Sequence, residues 1–182
     1  YDHASPFNNP TSTSSPYAIA NSEALLSTTH ALSGSPGNTY SNSAGATDLS
    51  LSALETAITN FRKMKNDRNL LVAIEPAILL IPPDLEFDAY EMLESSGKPY
   101  TANNETNVLK GRLQIKVWDF LTDTDAWFIL ANKRYGAPQS FNRVPVTYKA
   151  DVDFDSDDIK QKCRVRYSFG ATDWRWAYGG TG

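Results

Sequence analysis

The apolar run Ala77-Ile78-Leu79-Leu80-Ile81, closed by Pro82-Pro83, constrains this chain more than any other stretch. It is too short to cross a bilayer, and its length suits a strand buried on both faces of a sheet. The two prolines end that strand, because neither can donate to a ladder, and they pre-set the first turn of a helix. Asp84 and Glu86 favour the positive end of that helix, Leu85, Ala89, Met92 and Leu93 form its inward stripe, and Gly97 and Pro99 stop it. Upstream, Ser52-Ala53-Leu54-Glu55 reads as a capping box in which Ser52 accepts from the amide of Glu55. Leu54, Ala57, Ile58, Phe61 and Met64 then recur at helical spacing, with Arg62, Lys63 and Lys65 in the last turns, where cations complement the helix dipole. From Ser52 to Ser96 the residues build a scaffold and carry no chemistry.

On either side of that scaffold the pattern changes. Tyr1 to Asp48 is rich in Ser, Thr, Asn, Gly and Pro, which is turn chemistry, and the region is expected to be an extended arm that orders against a partner. Ala24-Leu25-Leu26 and Tyr40-Ser41 are its anchor points. After a polar loop, Asn107 to Trp118 alternates, with Leu113, Ile115 and Val117 on one face and Gln114 and Lys116 on the other. Ala126 to Leu130 reads as a more deeply buried strand, and Val144 to Phe154 as another with Pro145 at an edge. Lys162 to Phe169 sets Cys163, Val165, Tyr167 and Phe169 against Arg164, Arg166 and Ser168. Asp173 to Trp176 closes the ordered part before a Gly-rich tail. Helices and strands mix without a repeating strand-helix-strand period, so the expected class is α+β with a largely antiparallel sheet.

The candidate reactive groups do not assemble into a reaction centre. His3 and His30 both lie in the polar arm, where no pocket or partner would orient an imidazole, so both are expected to be solvated or interfacial. Asp151, Asp153, Asp155, Asp157 and Asp158 have some of the spacing of a calcium loop. Ser156 stands at the position of the sharp-turn Gly and Lys162 at that of the bidentate Glu, so a solvated acidic turn is expected. Cys163 falls on the apolar face of its strand and reads as a buried, inert thiol, and one cysteine excludes a disulfide framework or a thiolate zinc cluster. Trp174, Trp176 and Tyr178 with Arg175 could form a stacking platform, but such a cluster more often finishes a core or an interface. Asn104-Glu105-Thr106 is a glycosylation acceptor only in a secreted chain. No phosphate loop, nucleophile elbow or metalloprotease helix is present, and no catalytic, cofactor or metal residue is assigned.

With 17 Lys and Arg against 21 Asp and Glu, the formal charge of -4 offers no broad basic face for nucleic acid. No stretch is long enough to span a membrane and no leader pattern is visible. A first residue of Tyr rather than Met suggests a processed or incomplete chain.

Three stretches, in order, resemble the major capsid (head) proteins of tailed bacteriophages, in particular the group similar to the head subunit of phage Mu. One is Ala24-Leu25-Leu26-Ser27, His30 and Thr39-Tyr40-Ser41-Asn42, with Leu26 where Phe is common. Another is Leu54 to Lys65 followed by Glu75 to Glu86 with its Ile81-Pro82-Pro83-Asp84-Leu85-Glu86 segment. The last comprises Asn107 to Gly111, Trp127 to Leu130 and Arg164 to Arg175.

The resemblance implies a tailed-phage capsid fold: a long spine helix in a peripheral domain, and an axial domain with a mostly antiparallel sheet flanked by helices. Carried onto this chain, it gives an arm or loop region over 1–48, a peripheral domain over 49–74 and 159–182, and an axial domain over 75–158. Ser52 to Lys65 would be the spine helix. It implies a non-enzymatic subunit, assembled in the host cytoplasm, that forms pentamers and hexamers of an icosahedral virion shell. Portal or decoration proteins are possible partners, and the DNA is enclosed without sequence-specific binding or any membrane contact. A nanocompartment shell of the encapsulin type is the nearest rival, and a secreted carbohydrate-binding module is a more distant one.

Overall fold

The computed structural model describes residues 6–13, 19, 24–31, 39–99, 105–136, 138–171 and 173–182. In chain order its elements are β1 (His30–Ala31), β2 (Thr39–Tyr40), β3 (Ser43–Gly45), α1 (Leu51–Arg62), β4 (Pro76–Ile81), α2 (Glu86–Glu94), β5 (Gln114–Val117), β6 (Trp127–Ala131), β7 (Gln139–Val152), β8 (Ile159–Gly170) and β9 (Ala177–Gly180). The chain divides into two compact units, Tyr1–Ala137 with Thr172–Gly182 and Pro138–Ala171.

In the larger unit β3, β9, β6, β4 and β5 form one five-stranded sheet in that order. The expected largely antiparallel sheet is corrected to a mixed one. β4 pairs antiparallel with β6, and β6 with β9, but β5 runs parallel to β4 and β3 parallel to β9. The parallel pairs follow from the connections: β4 reaches β5 through the α2 crossover, and β3 and β9 come from opposite ends of the chain. β4 is buried on the face of Leu79 and Ile81 and half-buried on that of Ile78 and Leu80, short of the burial on both faces that its unbroken apolar run predicts. Leu79 and Ile81 are fully buried, while Leu80 packs from the other side against a cluster of Leu26, Leu121, Ala126 and Phe128.

α1 starts earlier than the capping-box reading places it. The N-cap is Ser50, extended at φ -149° and ψ 163°, whose hydroxyl accepts from the Ala53 amide. The helix stops at Arg62, and Met64 is buried beyond its end. Twelve residues give α1 a length of about 18 Å. Its inward stripe of Leu54, Ala57, Ile58 and Phe61 is buried as its periodicity predicts. The three large side chains contribute on the order of 5–9 kcal/mol of transfer free energy. α2 likewise buries Ala89, Met92 and Leu93, but it ends at Glu94, before Gly97 and Pro99.

The strand expected over Asn107 to Trp118 shortens to β5, where Gln114 and Lys116 are exposed and Ile115 and Val117 half-buried. The polar N-terminal region is not waiting for a partner where it is described. Phe7 stands edge-on to Trp118, Phe128 and Trp176, and Leu25 and Leu26 are fully buried. Anchor points at Leu25, Leu26 and Tyr40 therefore hold, but the surface they anchor to is this chain's own body. The Gly-rich end is not a tail either. Ala177, Tyr178, Gly179 and Gly180 form β9, buried between β3 and β6. The glycines are required by close approach, since a Cβ on Gly179 would run into the Trp127 carbonyl oxygen and one on Gly180 would lie 2.9 Å from that of Thr47.

The smaller unit is one antiparallel hairpin, β7 with β8. The expected strands 144–154 and 162–169 belong to it, and both are longer than their apolar alternation indicates.

Candidate assembly surface

Two features stand out once the chain is folded: a buried polar clamp in the body and an exposed hairpin. The clamp centres on Asn42, which lies between β2 and β3 and is completely buried. Its Nδ2 donates to the carbonyls of Leu25, at 2.8 Å, and Ala177, at 3.1 Å. Its Oδ1 accepts from the Ser27 amide at 2.9 Å and lies 3.0 Å from His30 Nε2. Because the amide orientation is set by the two carbonyls and the Ser27 N–H, the imidazole must be the donor, through Nε2–H.

His30 therefore sits inside the protein rather than in solvent, which corrects the expectation for that residue; His3 lies outside the described residues. Its ring stacks on Trp174 with centroids 4.1 Å apart, and the Arg175 guanidinium lies 4.5 Å from the same indole. Arg175 is held by Asp173, by Asp67 and by the Lys65 carbonyl. Burial lowers the His30 pKa to about 4, with Arg175 pushing the same way and Asn42 and Asp173 opposing. In this neutral tautomer the Nε2–H is a structural donor committed to Asn42. Tyr40 completes the wall, its hydroxyl donating to the Asn60 carbonyl at 2.9 Å, and burial raises its pKa.

The aromatic cluster near the C-terminus belongs to the same core. Trp174, Trp176 and Tyr178 are buried, so they offer no stacking platform and the carbohydrate-module reading loses its surface. A 410 Å³ groove lined by Ser43, Thr47, Ser50, Ser52, Thr56 and Tyr178 gathers hydroxyls but brings no histidine or carboxylate to them.

The hairpin is the opposite case. Its register places Tyr148 beside Cys163, Ala150 beside Gln161 and Val152 beside Ile159 on one face, and Val165, Tyr167 and Phe169 continue that face along β8. Thr147 with Arg164, Lys149 with Lys162 and Asp151 with Lys160 occupy the other, and Arg166 continues it opposite Val144. The large apolar side chains are exposed, Tyr148 by 79% and Ile159 by 70%. Cys163 is exposed with them, which corrects the expectation of a buried thiol. The alternation that marks a half-buried strand is real, and the large apolar side chains along it are exposed.

The acidic turn at the tip is closed by its own backbone. Asp153 and Asp158 join through the Asp153 amide, Asp157 takes a left-handed φ of 57°, and the Asp153 carboxylate pairs with Lys160. Asp155, Asp157 and Asp158 stay in solvent, as expected. Among the described residues no three His, Cys, Asp or Glu side chains converge as metal ligands. Of the glycosylation triplet, Asn104 lies outside the described residues and Thr106 forms a bridge to Gly97. No helix among the described residues is long and apolar enough to cross a membrane.

The architecture is thus a mixed α+β body built on a sheet, with a hairpin that carries an exposed apolar face. Residues 10–179 match the phage capsid protein family, and the chain belongs to it. No curated protein sequence matches the chain. A solved chain from Mycobacterium phage Che8 is similar with a TM-score of 0.43 at 13% identity, over 76% of this chain and 53% of that one. The chain therefore spans about half the length of that relative.

Proposed function

We propose that this chain is the major capsid protein of a tailed phage, or a large part of it, in the group similar to phage Mu. Its copies assemble as pentamers and hexamers into an icosahedral head around the DNA. The observation that carries the reading is the hairpin: Tyr148, Val152, Ile159, Val165, Tyr167 and Phe169 share one exposed face. An apolar face of that extent is a liability in a lone molecule and an interface in a shell, where a neighbouring copy covers it.

Within this reading α1 lies in the region of the spine helix. The peripheral division of 49–74 with 159–182, the axial division of 75–158 and the arm over 1–48 belong to the same proposal. Because β7 and β8 pair along their length, we take the hairpin as one lapping element despite the division at 158/159.

Sedimentation velocity with negative-stain imaging tests the proposal. Megadalton closed particles are expected from the wild-type chain, and Val165→Ser with Tyr167→Ser should shift the material to small oligomers. A chain that stays monomeric across salt and pH refutes the shell reading.

A further inference from the structure

The hairpin has a second face, and it is basic. Lys160, Lys162, Arg164 and Arg166 alternate along β8 on the side away from the apolar stripe, with Lys149 beside Lys162, while Asp151 lies opposite Lys160 and Asp153 pairs with it. All are exposed. Successive members stand about 6.8 Å apart, so the row is about 20 Å long. The overall charge of -4 conceals this row, because the hairpin tip and the body carry the compensating carboxylates. The expectation of no basic face thus holds for the sum of charges and fails for their placement.

The body presents a surface of opposite sign and similar length. Asp84, Asp88, Glu91 and Glu94 follow one another at helical spacing on the solvent side of α2 and the turn before it, over about 15 Å. Phe87 stands among them, 82% exposed. An exposed phenylalanine inside an acidic stripe is suited to arginine, whose guanidinium can pair with a carboxylate and lie on the ring.

We propose that the basic face of the hairpin docks on the acidic, Phe87-bearing face of α2 in a second copy of this chain. The inference rests on the shell reading above and names the surface that receives the hairpin. Arg164 and Arg166 meet Asp88, Glu91 and Phe87, while the apolar face of the hairpin remains for a further contact. The arrangement is heterologous, one patch against a different patch, which is the kind of contact that closes rings. Nucleic acid is the competing occupant of a lysine and arginine row. It is disfavoured because Asp151, Asp153, Asp155, Asp157 and Asp158 crowd the tip of the same hairpin.

A charge-swap experiment on the full chain decides the matter. Arg164→Glu with Arg166→Glu, and separately Asp88→Lys with Glu91→Lys, are each expected to raise the concentration needed for assembly by at least about tenfold at low salt. All four substitutions together should restore it, because the attraction returns with its sign reversed. Thermal melts establish that each variant folds, and Arg164→Gln with Arg166→Gln provides a milder version should the reversal unfold the chain. Wild-type shells that ignore the reversals, or a four-fold variant that fails to recover, overturn the docking and leave the shell reading intact. A wild-type chain that never assembles overturns both. Normal assembly with lost affinity for duplex DNA in Arg164→Glu with Arg166→Glu assigns the row to nucleic acid and overturns the docking.

Discussion

Replacing Asn42 by Ala is the sharpest probe of how the N-terminal region is held to the body. The side chain is fully buried and makes hydrogen bonds to Leu25, Ser27, His30 and Ala177. Alanine leaves the Ser27 amide and the His30 Nε2–H without an acceptor, and each orphaned buried donor costs about 1–3 kcal/mol. The two carbonyls lose a donor as well, but each keeps a second lone pair and loses less. Water entering the vacated space recovers part of the sum, so the expected loss is about 3–4 kcal/mol, a large share of a typical domain's stability. Urea unfolding followed by tryptophan fluorescence measures it as a drop in midpoint at constant m. Asn42→Asp is the control: it keeps an acceptor for Ser27 and His30 but loses both donors, and its carboxylate favours a charged imidazole. If Asn42→Ala lies within about 1 kcal/mol of wild type with the same m, the clamp is not what holds residues 24–31 and 39–45 in place.

Two further outcomes follow from the same core. His30 has a pKa of about 4 in the folded chain against 6.5 when unfolded, so the unfolded state binds its proton first and stability falls as pH drops from 6.5 towards 4. The loss attributable to His30 is at most about 3 kcal/mol; His30→Gln keeps a donor and removes the titration, so thermal melts against pH should be flatter for the variant, and parallel curves would refute the assignment. Gly179→Ala places a Cβ against the Trp127 carbonyl and 2.9 Å from Phe128 Cδ1, and calorimetry should show a loss of about 3 kcal/mol from overpacking in the centre of the sheet.

Much of the scaffold is legible residue by residue. The helical stripe Leu54, Ala57, Ile58, Phe61 and the run Ala77 to Ile81 find their places because periodicity and apolar content act locally. Three readings fail for reasons of range. The clamp residues His30 and Asn42 sit in turn-rich sequence, where nothing announces that their partners lie near Leu25 and, 132–135 residues away, at Trp174 and Ala177. β9 contains two glycines, poor strand formers, and is a strand because β6 approaches too closely for any side chain. The alternation that puts Cys163 on an apolar face is identical whether the cover comes from the same molecule or from another.

The sequence by itself determined what short-range physics controls: the α+β class, the two inward helical faces, the buried central strand and the two-sidedness of the hairpin. Only the tertiary structure decided which strands pair, in which direction, and which apolar face is exposed. Those outcomes depend on long-range closure of the chain, where a few side-chain to backbone hydrogen bonds and the clearance at a glycine outweigh local propensity.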